Sequence, residues 1–505
     1  MRRNYMDSKR LKETLLNNYN ERIISAEQDD FDINTELENV LNGIGYSAKD
    51  TGGKVEFYGK DPIQPSTLKI ASLAGIGLAA KSVAIASLWK KRTGVGQDIE
   101  VDIRKALKRL SPFYEKKWET VNGFAAKAQI FPDNPTRFDF YQTKDGRWVM
   151  PLNPYPSAQR HTLELLNALP NKKSITHAIR QWHSHDLEEK AAEKGVVMPV
   201  VRTVPEFLNE EQFEYIAQNP LVTIEKIGES EPEPFTSNPA QPLDGIRALG
   251  MGHVIAGAGL GRGLALHGAD VLNVWRPSEF EEESLLLTSH VGMRSTYLDI
   301  DNQPEHRQKF DELLRDADIF FLNKRSGFMT EKHLTPHELA EQRPGIIHCS
   351  VSCYGEEGPW SDRNGFDQTA GCVTGVMDLE GTPDKPQLPP IVVVNDYVIS
   401  WLMETAAIKA LERRAQEGGS YKIQVNLSRI SLYLLSLGIF DKNYVNSTYN
   451  SNDEHAIVSP EQFEDDTPLG HYVGVTDQVK MTETPGEYKY TLTPRGASKP
   501  EWLTF

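Results

Sequence analysis

Residues 242–277 read PLDGIRALGMGHVIAGAGLGRGLALHGADVLNVWRP, and the fold turns on this stretch. GIRAL is a short apolar strand, residues 256–267 carry a helical pattern ended by Gly268, and VLNVW is a second strand. Parallel neighbouring strands need a crossover of about a dozen residues or more, usually a helix, and this stretch supplies one. Downstream the alternation continues with STYLDI, a helix over 303–314, IFFL, a helix from Pro336 and IIHCSV. This pace of strand and helix predicts an α/β fold with a parallel sheet and covering helices.

The glycines invite a dinucleotide reading, and their register refuses it. Gly257 and Gly259 need a third glycine where Arg262 stands, and Gly259 and Gly261 need one at Leu264. The acidic residue that would hold a ribose after the second strand is replaced by Trp275 and Arg276. Arginine suits a phosphate, so the half-domain fits a phosphorylated nucleotide other than NAD. Glycines that merely let a helix approach a strand explain the same pattern.

Upstream, residues 228–241 are rich in Pro, Glu and Ser and read as a linker. Before them lie a polar segment over 1–66, expected to pack peripherally, and a section over 67–227. In that section Asp145-Gly146 marks a hairpin turn, WHSHDLEEKAAEKG reads as a helix ending at Gly195, and VVMPVV reads as a strand. The apolar run Leu73–Trp89 is short for a membrane span and carries Lys81, so it reads as a buried helix. Residues 431–505 form a C-terminal tail.

One internal repeat carries information. Residues 72–106 and 396–430 each run through an apolar helix, a basic end, a glycine turn and an alternating strand. Aligning Gly94 with Gly418 sets Ser72 opposite Asp396.

Composition bounds the function. The 505 residues suffice for more than one domain, and a net charge of −16 argues against nucleic acid or an anionic membrane surface as partner. Three cysteines, Cys349, Cys353 and Cys372, make neither a disulfide framework nor a zinc spacing, and His183 with His185 lacks further ligands, so no metal is expected. No secretory pattern opens the chain, and a cytoplasmic address is the expectation. The acidic run Glu281–Glu283 reads as a solvated loop.

The ordered segments PLDGIRALGMGHVIAGAGLGRGLALHGADVLNV, GMRSTYLDID, ADIFFLNKRSG, RPGIIHCSVSCYGEEGPWSDRNGFD and NDYVISWLMETAAIKAL resemble the family III CoA-transferases, the CaiB/BaiF family. The resemblance covers about residues 242–430. TGVGQDIEVDI, FYQTKDGRWV and residues 182–203 are similar to later parts of that family, so the chain resembles a longer member with its halves in permuted order. The resemblance implies a Rossmann-like CoA-binding half over 242–430, a smaller α/β domain and an interlocked homodimer. It also implies coenzyme A as a substrate, with no permanently bound cofactor, and acyl-CoA and carboxylate partners.

Residue by residue, the resemblance sets Asp396 as the catalytic carboxylate. Ile255 and Ala256 match a pair against the adenine nucleotide, Arg276 a basic residue near the phosphates, and Leu298 and Asn323 wall residues, with Lys324 and Arg325 beside them. Gly365, Phe366 and Asp367 match the segment facing the thioester. Departures exist: Asp301 and Glu331 stand where some members are basic, and no glycine-rich covering loop is evident. Asp396 as a plain helix N-cap, and Asp367 as a cap of the helix it begins, are the structural alternatives. Phe366 stands where racemases of the family carry a His, and phenylalanine exchanges no proton. The expected function is CoA transfer from an acyl-CoA to a carboxylate through an aspartyl anhydride and thioester. A non-catalytic CoA-ester binder or scaffold, or a CoA-ester isomerase or lyase, are the alternatives.

Overall fold

The computed structural model describes residues 8–126 and 134–504. In chain order, the elements that position the site begin with β1 (Gly52–Tyr58), α1 (Ile70–Thr93) and β2 (Gln97–Asp102), followed much later by β3 (Thr223–Gly228). Then come β4 (Arg247–Met251), α2 (Gly259–Leu266), β5 (Asp270–Trp275), β6 (Arg294–Tyr297), α3 (Pro304–Arg315), β7 (Ile319–Leu322), α4 (Pro336–Gln342) and β8 (Ile347–Ser352). The last are α5 (Asp367–Thr374), α6 (Asn395–Glu417), β9 (Ser420–Asn426), α7 (Leu427–Ser436) and β10 (Val479–Met481).

Seven strands form the main sheet in the order β6-β5-β4-β7-β8-β9-β3, parallel except for β3, which runs antiparallel to β9. Its first six strands follow the doubly wound order, and the direction of winding reverses between β4 and β7. Loops leaving the carboxyl ends of those two strands therefore diverge, and a crevice opens between them. The strands are buried on both faces: Leu249, Leu272, Phe320, Phe321 and Ile347 are all fully enclosed.

A second sheet has the order β1-β2-β10, with β1 parallel and β10 antiparallel to β2. It repeats the β8-β9-β3 edge of the main sheet. The connections cross over: β3 follows β2 in the chain yet joins β9, and β10 follows β9 yet joins β2. Each half thus lends a strand to the other's sheet.

The helices α1 and α6 pack face to face at the centre. An added Cβ on Gly77 would come within 2.9 Å of the Trp401 ring, so glycine permits the close approach. α1 has 24 residues, longer than the sequence suggested, and is apolar enough to cross a bilayer; every residue from Ile70 to Leu88 is nevertheless buried in protein. Its all-round apolar surface is that of a core helix.

Several expectations need correction. VVMPVV forms no regular strand: its backbone runs beside residues 148–152, with a bridge between Val149 and Val200 and hydrogen bonds from Met150 to Pro199, Leu152 to Val197 and Val201 to Trp148, while the hairpin at Asp145-Gly146 is present. The segment over 8–66 is more than peripheral, since Leu11, Leu15, Leu37 and Leu41 enter the main core and β1 belongs to a sheet. α7 runs through the boundary drawn at residue 430, and the C-terminal section supplies β10. Glu281 and Glu282 are 2% and 3% exposed, so the acidic run is not a solvated loop.

Candidate active site

The crevice at the β4/β7 reversal is a cleft of about 620 Å3, within the range of small-molecule sites. Its floor is the loop after β4, where His253, Val254 and Ala256 face the cavity, and the loop after β7 with Asn323, Lys324 and Arg325. Ser350–Cys353 and Gly365-Phe366 form one wall, while Asn153, Tyr155, Pro156 and Gly195 come across from the N-terminal section. Asp396 closes the inner end.

The β4 loop is held open by side chains. Asn323 accepts from the His253 N–H at 3.1 Å and donates to its carbonyl at 3.0 Å. A Cβ on Gly257 would lie 2.3 Å from the Asn323 side chain, and one on Gly259 2.6 Å from Ser400 Oγ on α6. The glycine pattern therefore serves close packing, which is why its register departs from a dinucleotide fingerprint. Val254 has a φ of 56°, a costly value for a β-branched residue, and its N–H donates to the buried Glu281 at 2.6 Å. Burial pushes Glu281 up to about 7 despite that bond.

Asp396 lies in the first turn of α6 and is 6% exposed. The N-terminus ahead of it is capped by Asp367, whose Oδ2 accepts the Asp396 N–H at 2.9 Å and the Val394 N–H at 3.1 Å, and also bonds the Asn395 N–H. Asp367 is thus a cap of α6 rather than of α5, the helix it begins, and it does not line the cleft. Burial pushes Asp367 up to about 6, against the three N–H bonds that favour its charge. Asp396 is driven well above the usual carboxylate range by burial and then by the neighbouring Asp367 charge. Its carboxylate makes no side-chain hydrogen bond to any described residue, and it stays available to a ligand. Cys353, the thiol on the cleft wall, is pushed up by burial and offers no thiolate.

The cationic side of the cleft is partly neutralised. Glu279 meets Lys324 at 2.7 Å, His253 Nε2 at 3.0 Å and Arg276 at 3.1 Å. Although burial opposes its charge, the His253 bond and the charges of His253 and Lys324 hold Glu279 well below its usual range. Arg276 is further tied to Asp301 at 2.9 Å. Among the described residues Arg325 has no ion-pair partner. It stands at the cleft as the side chain readiest to meet a phosphate.

Of the residues singled out from sequence, Ala256, Arg276, Asn323, Lys324, Arg325, Gly365, Phe366 and Asp396 border the cleft. Ile255 faces a smaller cavity on the other side of Asp396, and Leu298 is buried in the core beneath the sheet, away from both. Sequence reasoning missed His253, Glu279 and Tyr155. His253 had a signal, since it follows a strand at the crevice-forming end; Tyr155 had none, because only the fold brings it across. No cluster of metal-ligating side chains occurs among the described residues.

Residues 243–463 match the CoA-transferase family III profile. The acetyl-coenzyme A transferase nodX of Hypoxylon pulicicidum is 27% identical over 62% of this chain and 57% of its own length. Human succinyl-CoA:glutarate CoA-transferase is 28% identical over 39% of this chain and 48% of its own. The crystal structure of Rv3272 from Mycobacterium tuberculosis aligns with 28% identity and a TM-score of 0.35 over 39% of this chain and 58% of that one. The chain spans about half the length of the curated relatives it matches. Sequence match and doubly wound sheet coincide over the same residues, and it is over the segment 243–463 that the chain is similar to CoA-transferase family III.

Proposed function

We propose that this protein transfers coenzyme A from an acyl-CoA to a carboxylic acid, with Asp396 as the nucleophile. The observation that carries the reading is the place of Asp396. Its carboxylate lies at the junction of two cavities, the long cleft with cationic residues and the small pocket lined by aromatic rings. A thioester laid along the cleft has its sulfur on one side of that carboxylate and its acyl group on the other. The names of the relatives, all CoA or acyl-CoA transferases, support the same class.

The carboxylate of Asp396 attacks the thioester carbonyl; the C–S bond breaks, and the CoA thiolate leaves an aspartyl–acyl anhydride. The thiolate then attacks the aspartyl carbonyl, releasing the donor's acid and leaving an aspartyl-CoA thioester. The acceptor carboxylate repeats the two steps in reverse. Placement next to the thioester supplies effective molarity of roughly 10⁵ M or more, which offsets the weak nucleophilicity of a carboxylate. Burial that raises Asp396 also raises its basicity once ionised. Racemisation is disfavoured by Phe366, whose ring stacks on Tyr155 with centroids 6.4 Å apart where a proton carrier would be needed.

We also propose that one chain suffices. The wall that a family III homodimer would take from its partner is supplied here by Asn153, Tyr155 and Gly195 of the same chain. The test is Asp396→Asn, assayed with a panel of acyl-CoA donors and carboxylate acceptors. Transfer falls by about 10³-fold or more while the circular dichroism spectrum is unchanged; turnover near that of the unmodified protein refutes the assignment.

A further inference from the structure

The small cavity behind Asp396 measures about 60 Å3 and is walled by Phe113, Tyr114, Phe138, Leu285, Phe366 and Val393. With about 10–15 Å3 of such space needed to hold one water-sized group, the cavity takes a short acyl group of a few carbons. Arg137 and Glu282 also line it, in a two-pronged pair: Nη1 donates to Oε1 at 2.8 Å and Nη2 to Oε2 at 3.2 Å. Glu282 is 3% exposed, and its main-chain N–H is fixed by the Glu281 carboxylate at 3.1 Å.

Arg137 is the one cationic side chain among the described residues that line this cavity, and Glu282 already takes both prongs of its guanidinium. An acyl chain ending in a second carboxylate would meet a neutralised arginine and a like charge in a desolvated space. We propose that Glu282 determines acyl specificity: by occupying Arg137 it reserves the site for short, uncharged acyl groups and rejects those with a terminal carboxylate. This rests on the reading of Asp396 as the centre of acyl transfer.

The test compares acetyl-CoA, butyryl-CoA and succinyl-CoA as donors for the unmodified protein and for Glu282→Gln. Unmodified protein favours acetyl-CoA over succinyl-CoA by about 100-fold in kcat/KM, and Glu282→Gln, which frees the arginine, raises succinyl-CoA use by about tenfold or more. An unmodified protein that takes succinyl-CoA as readily as acetyl-CoA, or a ratio unchanged in Glu282→Gln, overturns the proposal. The double variant Arg137→Met/Glu282→Leu removes the charges together and should gain nothing for succinyl-CoA; a gain equal to that of Glu282→Gln shows that size, not charge, selects. Binding separates this proposal from the catalytic reading. Millimolar succinate should raise the melting temperature of Glu282→Gln and leave that of the unmodified protein where it was, even if no donor is turned over. No shift in either protein counts against the proposal.

Discussion

The units β1-α1-β2 and β8-α6-β9 share one plan, and they differ in what they can do. In each, a parallel pair of strands brackets a long buried helix, and a strand from the other half joins on the far side. In each, a buried aspartate caps the central helix: Asp367 accepts the N–H of Asp396, and Asp61 accepts the N–H of Ser72 at 2.8 Å. The capping geometry belongs to the scaffold. Chemistry requires two further things, a carboxylate at the capped position and a cavity beside it. Ser72 has neither the carboxylate nor a place on the walls of the cleft. The first half also lacks counterparts of β4 to β7, since its sheet has three strands among the described residues. Its own surface groove, about 640 Å3, presents Glu56, Glu100, Asp102 and Glu461 against Lys105 and Lys480, a poor host for phosphates.

The most severe way to probe that difference is to exchange the capped residues. Ser72→Asp placed in the Asp396→Asn background should recover no transfer, staying about 10³-fold down, because a nucleophile without a cleft has no substrate. Measurable recovery in the acyl-CoA assay would show that the first half retains a working site.

The caps themselves come next. Removing the Asp367 charge with Asp367→Asn relieves the like-charge contribution to Asp396 and lowers its pKa. An acid whose pKa falls stays ionised to lower pH, so the acidic limb of the kcat/KM profile moves to lower pH. Asp61→Asn should leave that limb in place and affect stability alone. A profile that shifts equally in both variants contradicts the assignment of roles.

Stability offers a gentler comparison. Leu73 on α1 and Leu402 on α6 are 0% and 1% exposed. Either leucine replaced by alanine should cost about 2–5 kcal/mol in one cooperative denaturant transition, as the halves share a core. Two separate transitions would show that the halves unfold apart.

The smallest effect lies where α1 meets α6. Glu404 is buried with both carboxylate oxygens lacking a hydrogen bond, 3.9 Å from Lys81, and burial pushes it up to about 7. For an acid whose folded pKa is raised, stability is full below its unfolded pKa near 4.5 and is lost as pH rises through about 7. Glu404→Gln should therefore stabilise the protein by about 1 kcal/mol at pH 8 and by little at pH 5, measured by thermal melts at the two pH values.

Oligomeric mass sharpens the same comparison. If the two halves of one chain complete the cleft, light scattering should find activity in a species near the chain mass of 56.8 kDa.

Much of this was legible in the sequence where local pattern and tertiary role agree. The alternation from GIRAL to IIHCSV sets the parallel sheet, and the repeat, though thin in identity, correctly pairs Ser72 with Asp396 at two capped helix starts. Periodicity fails where burial comes from long-range assembly. Glu281 and Glu282 look solvent-facing in sequence, and the fold buries them because Val254 and Arg137 come to meet them. Strand exchange between halves leaves no local trace, since β3 and β10 look alike wherever they pair. In sequence Asp367 suits a cap or a ligand contact alike, and only three-dimensional contact reveals which helix it caps.

The central claim is that Asp396 becomes covalently acylated. Intact-protein mass spectrometry after incubation with acetyl-CoA, with hydroxylamine trapping and peptide mapping, tests it directly. The account predicts a hydroxamate on the peptide containing Asp396, absent from Asp396→Asn and from untreated protein. A hydroxamate on another residue, or transfer of CoA with Asp396 left unmodified, would contradict it.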